Sequence, residues 1–116
     1  MSEKEEREQE QKKAKELAEQ NKSIVYEYVE NGQLPSPRAL TRSERKKLDA
    51  AGQNIYKIKV GDTRSLPEIR EECSDWILDN IFGDFEIPDN VPSNVCLWFG
   101  LYVFGLTYRD DLAEKN

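Results

Sequence analysis

The sequence predicts an α+β fold, mostly α, from three coinciding observations. Two Ser/Thr-x-x-Glu starts each open a helical stretch, Thr41 to Glu44 and Ser65 to Glu68. An almost wholly apolar run of helix length follows Ser93. Two short stretches rich in β-branched and aromatic residues are closed by Asn31-Gly32 and Gly61-Asp62. The expected elements are three main helices at about 42–51, 66–82 and 94–107, one or two short strands at 24–29 and 55–60, and a charged N-terminal arm.

Residues 1–22 hold Ala14, Leu17 and Ala18 among Glu, Gln and Lys, which favours helix without supplying a face to bury, so a helical or disordered arm is expected. Ile24-Val25-Tyr26-Glu27-Tyr28-Val29 reads as a strand, and the two prolines at 35 and 37 force a loop after it. The first helix starts at the Thr41/Glu44 capping box and stops at Gly52, which tolerates the left-handed conformation past a helix end. Tyr56, Ile58 and Val60 then alternate with Lys57 and Lys59, the pattern of a half-buried strand.

The second helix opens on Ser65 with Pro67 in its first turn, and Leu66, Ile69, Cys73, Trp76, Ile77 and Ile81 share one face. Glu68, Glu71, Glu72, Asp75 and Asp79 fall elsewhere on it. The last helix has almost no polar side and must be covered on most sides. The expected organisation is the arm at 1–22, a single small domain at 23–108 and a polar tail at 109–116.

The 116 residues carry 17 Lys+Arg, 23 Asp+Glu and no His, for a net charge of −6. Without His the usual near-neutral general base, metal ligand and nucleophile partner are missing. The six glycines are scattered singly, so no phosphate-binding loop is present. The carboxylate pairs fall on solvent faces and lack the order of a calcium loop. These observations imply a non-enzyme that needs no cofactor and no metal. Cys73 and Cys96 are isolated on apolar-periodic stretches and read as buried thiols in a reducing cytoplasm. The N-terminus has no apolar leader, and the apolar run is short of the roughly 20 residues of a membrane span.

Charge is unevenly placed: residues 35–64 sum to +5 and residues 65–116 to −8. Such opposed patches can neutralise each other within one fold or steer copies and partners together, so self-association is an expected possibility. Two sets of candidate binding residues follow. Trp76, Trp98, Phe99, Leu101, Tyr102 and Phe104 concentrate apolar surface suited either to the core or to another chain. Arg38, Arg42, Arg45 and Lys46 form a basic segment that can contact a charged partner. It supports an alternative reading, a small nucleic-acid-associated regulator using Arg38 to Lys47, against which stand the acidic total and the lack of aromatics among these bases.

Leu40-Thr41-Arg42-Ser43-Glu44 with a basic helix to Ala51-Gly52, an acidic amphipathic helix to Phe82-Gly83, and an apolar helix from Leu97 to Thr107 running into a charged tail resembles the small tail assembly chaperones of long-tailed bacteriophages. The resemblance covers residues 38–116 and rests on the order and character of the elements. It implies a non-enzymatic protein of the host cytoplasm, absent from the mature particle. Such a protein holds the tape measure protein soluble and helps recruit tail tube subunits. The strand-like stretches 24–29 and 55–60 and the charged arm depart from a plain helical version of that family.

Overall fold

The computed structural model describes residues 2–114. Among these are four α-helices, α1 (Glu3–Glu30), α2 (Arg42–Ala50), α3 (Leu66–Asn80) and α4 (Ser93–Glu114), one 3-10 turn at Ile55–Lys57, and no strand. The α+β expectation is therefore overturned.

Stretch 24–29 is the C-terminal part of α1. Val25 is buried and Ile24, Tyr28 and Val29 pack against the core, while Tyr26 and Glu27 are exposed. This is helical periodicity. Adjacent inward residues at 24/25 and 28/29 cannot lie on one face of a strand, whose side chains alternate. The preceding residues are good helix formers, so α1 reaches this segment by propagation, without a new nucleation cost. Asn31-Gly32 closes a helix end instead of a hairpin. Gln33 N–H donates to Tyr28 O at 2.9 Å and Gly32 N–H to Val29 O at 3.1 Å, with Gly32 at φ 76°, a Schellman motif. The charged arm is thus the first five turns or so of the same 28-residue helix.

Stretch 55–60 fails as a strand for a different reason. The Asn54 side chain accepts from Tyr56 N–H at 2.9 Å, and Lys57 N–H donates to Asn54 O at 3.0 Å, folding the start into a 3-10 turn. With 24–29 in a helix there is no neighbour to pair the remaining backbone. Ile58 is half-buried, whereas Tyr56 and Val60, expected on the same buried side, are exposed.

The three expected helices are present. Both halves of the α2 capping box form, Thr41 Oγ1 accepting from Glu44 N–H and Glu44 from Thr41 N–H. Ser65 caps α3 by accepting from Glu68 N–H at 3.3 Å. The last helix runs beyond 107 to Glu114, through most of the expected polar tail; residues 115–116 lie outside the described residues.

Helix α4 is the centre of the fold, packed along α3 on one side and the second half of α1 on another. Phe99 and Val103 meet Cys73 and Ile77 of α3, Val25 of α1, Leu34, Leu40 and Leu48 in one cluster. Each such aliphatic or aromatic side chain contributes about 1.5–3 kcal/mol by leaving water. The α3/α4 crossing is unusually close at Ser74 and Gly100. Ser74 is fully buried, and its hydroxyl lies 3.2 Å from Cys96 O and 3.1 Å from Leu97 O, able to donate to either. A Cβ at position 100 would sit 2.6 Å from Ser74 Cβ and 2.7 Å from its Cα. Thr107 ties the loop before α2 to the far end of α4: its buried hydroxyl accepts from Leu40 N–H at 2.8 Å and donates to Val103 O at 2.9 Å.

The principal extents are 49 × 35 × 31 Å, and the radius of gyration, 15.6 Å, exceeds the roughly 13 Å of a compact chain this long. The free part of α1 accounts for the excess: from Glu3 to Gln20 every described side chain is exposed.

The two helix-interior glycines of α4 should respond oppositely to alanine. Gly100→Ala is expected to destabilise the chain by about 1–3 kcal/mol through overpacking against Ser74. Gly105→Ala meets open space and is expected to stabilise it by roughly 0.5–1 kcal/mol through helix propensity. Urea titrations of the two variants beside the parent chain check both signs.

Candidate functional site

Two faces of α4 have different fates. Val95, Phe99, Val103 and Thr107, four residues apart, point into the core and are buried. Trp98, Leu101, Tyr102, Gly105 and Leu106, at steps of three, one, three and one, form a second stripe that remains half exposed. Opposite them on α1 lie Ala18, Glu19, Asn21 and Lys22, and the two helices bound an open groove of about 350 Å³. It opens where α1 passes from its packed half to its free half, because Val25 seats one end and the small Ala18 leaves room at the other. Tyr102 anchors the groove wall. Its ring meets Tyr26 edge-on at 5.9 Å, the two hydroxyls are 3.4 Å apart, and Lys22 Nζ lies 5.8 Å from the ring centroid.

The six apolar candidates read from the sequence are thus divided. Trp98, Leu101 and Tyr102 line the groove. Phe99 is fully buried, stacking edge-on with Phe82 at 5.2 Å, and Phe104 is 5% exposed, packed against Tyr108 and Tyr56 at 4.5 and 5.4 Å. Both serve the core of this chain and present no surface to a partner. Trp76 is half-buried on α3 and does not line the groove. The sequence reading places Ala18, Glu19, Asn21 and Lys22 in a charged arm with no face to bury, and so misses the α1 wall. The signal was there in the seven-residue spacing of Ala18 and Val25 and of Asn21 and Tyr28, positions that share a helix face.

The basic candidates are drawn into local contacts. Arg38 forks onto Glu44 with N–O distances of 2.7 and 2.9 Å and lies over the Phe82 ring, 5.4 Å from its centroid. Arg45 stacks on Tyr108 at 4.7 Å. Arg42 and Lys46 are exposed on α2. None of the four lines the groove. Lys57 pairs with Asp49 at 3.3 Å, and Arg64 bridges Asp62 and Glu72, linking the basic middle to acidic α3.

Among the described residues no three His, Cys, Asp or Glu side chains are grouped to hold a metal ion, and no helix is long and apolar enough to cross a membrane. Comparison with protein-family models, curated proteins and solved structures finds no match to this chain.

Two titrating environments report on the start of α2 and on the core. The Arg38 fork holds the Glu44 carboxyl down at about 2 from 4.5, helped by the Thr41 N–H and opposed by partial burial. A carboxyl lowered in the folded state stabilises above its unfolded pKa, and that stabilisation is lost as pH falls from about 4.5 toward 2. Glu44→Gln is expected to cost about 1 kcal/mol at neutral pH, the fork being partly solvated, and to flatten the acid limb of stability in that window. Urea midpoints at a series of pH values measure it.

Burial pushes the Cys73 thiol up to about 12, and raises that of Cys96 with help from the Asp75 charge. Iodoacetamide at mildly alkaline pH is therefore expected to leave Cys73 unmodified in the folded chain and to label Cys96 slowly, both reacting alike in denaturant. Rapid native labelling of Cys73 would contradict its place in the core.

Proposed function

We propose that this chain is a non-enzymatic assembly chaperone of the phage-tail type, which holds helical segments of the tape measure protein and helps recruit tail tube subunits in the host cytoplasm without entering the finished particle. The observation that carries this reading is the stripe Trp98, Leu101, Tyr102 and Leu106, half exposed beside α1 in an open groove. A helix apolar all round that is covered on only part of its circumference retains affinity for another apolar helix. The groove between α1 and α4 has two helical walls, so a third helix lying in it completes a small bundle. A long helical protein with one apolar side aggregates before assembly unless that side is covered.

The helical course of 24–29 also favours the reading. It removes one of the features that set the sequence apart from a plain helical chaperone, and through Val25 it seats the helix whose residues Ala18, Glu19, Asn21 and Lys22 line the groove.

Co-expression with a tape measure protein tests the proposal. Recovery of a soluble complex is expected with the parent chain. Trp98→Asp is expected to keep the helical circular-dichroism spectrum and lose the complex, whereas Phe99→Ala, a core truncation, should lower stability by about 3–5 kcal/mol. A long partner no more soluble with the parent chain than without it, and no recovered complex, would sink the reading.

A further inference from the structure

Two helix faces outside the groove carry charge that the chain itself does not neutralise. On α2, Arg42, Lys46 and Lys47 are exposed on the sides away from the buried Leu48, and among the described residues none of them forms an ion pair. On α3, Glu68, Glu71, Asp75 and Asp79 are exposed on the side away from Ile69, Cys73 and Ile77, and of the acids there only Glu72 has a cation, Arg64. Burial, and then the charges of Glu71 and Asp79, push the Asp75 carboxyl up, the response of an acid crowded by others with no base between them. The two faces also match in spacing. Arg42 and Lys46 are four residues apart, and so are successive members of Glu71, Asp75 and Asp79, so bases and acids stand as rungs about 6 Å apart on their helices. Neither face pairs with the other within the chain, so each finds its complement on another copy.

We propose that α2 and α3 form a head-to-tail contact between copies of this chain, the Arg42/Lys46/Lys47 face of one copy seated on the Glu71/Asp75/Asp79 face of the next. Complementary charge of this kind steers encounter and fixes register. The two surfaces differ, so the contact is heterologous: every copy at an end keeps one free face, and association runs on as an open row or closes into a ring. None of these residues lines the groove between α1 and α4, so each copy in the row keeps its groove open. Exposed pairs are individually weak, and the contact therefore acts where copies are already neighbours, at effective concentrations on the order of millimolar. A long helical client supplies that condition. This use of the contact, though not the contact itself, rests on the reading above.

Sedimentation equilibrium of the full chain at about 1 mM makes the test, in roughly 0.1 M salt, where a Debye length of about 10 Å limits the repulsion between chains of net charge −6. The weight-average mass should reach at least about 1.5 times the 13.5 kDa of one chain, and fall back to one chain at about 1 M salt. The variants Arg42→Gln/Lys46→Gln/Lys47→Gln and Glu71→Gln/Asp75→Asn/Asp79→Asn each strip one face, and both should keep the helical circular-dichroism spectrum and be monomeric. Their equimolar mixture should associate again and stop at pairs, because the intact α3 of the first meets the intact α2 of the second. A carbodiimide, which joins carboxylates to amines in contact, should link Lys46 or Lys47 to Glu71, Asp75 or Asp79 between parent chains of different isotopic label. A parent chain that stays monomeric overturns the proposal, and so does a mixture that stays monomeric while the parent associates, since the contact is then symmetric. Association that survives both charge variants and is lost with Trp98→Asp puts the second copy in the groove and overturns it too. A monomeric chain whose α2 face instead binds a DNA duplex assigns that face to nucleic acid, with the same result. Co-expression with a tape measure protein decides the chaperone reading separately, so contact and groove fail independently.

Discussion

The arrangement of this chain depends on how closely α3 and α4 approach at Ser74 and Gly100. A glycine in the middle of a helix gives up propensity, and here it does so at a point where any side chain would collide with the facing backbone. The Ser74 hydroxyl finds carbonyl acceptors on α4, so the contact buries a polar group without leaving it unpaired. With the axes held this close, Phe99, Val103, Cys73 and Ile77 interlock on either side of the crossing. Phe82 can then reach Phe99 edge-on, and the loops bearing Leu34 and Leu40 close over the remaining edge.

That crossing covers one side of α4 and leaves the problem of the other. Helix α1 solves it partly: its C-terminal half presents Val25, Tyr28 and Val29, and its N-terminal half presents charged side chains and a single small residue, Ala18, at the groove. The apolar stripe of α4 is therefore sealed at one end and open at the other. The same helix that completes the core thereby creates the binding surface, and the transition between the two roles falls within a few residues of Ala18. A side chain larger than alanine there would close the gap, and more apolar residues upstream would bind α1 to itself or to a neighbour.

The charge asymmetry of the sequence is handled mostly near its source. Arg38 with Glu44, Lys57 with Asp49, and Arg64 with Asp62 are pairs within the basic middle, and Arg64 to Glu72 joins that region to α3. Glu68, Glu71, Asp75 and Asp79 of α3 remain exposed outside these pairs, whereas the acids and bases of α1 are interleaved along the helix and largely cancel at the range of the Debye length.

Much of the helical framework was legible in the residues themselves. Capping at Thr41 and Ser65, the left-handed stop at Gly52, the amphipathic face of α3 and the all-apolar character of α4 are local properties, decided within a turn or two by side chain and backbone. So is the choice of α4 as the place to look for contact surface. The strands were misread because β-branched and aromatic residues in short runs satisfy either geometry, and tertiary packing chooses between them: a helix at 24–29 buries Val25 against α4, and without that partner 55–60 has nothing to pair with. The division of the six apolar candidates into core and groove was likewise beyond the sequence. Each lies on α3 or an α4 that is apolar all round, and only the positions of α1 and of the α3 crossing determine which side of α4 meets the interior and which meets solvent.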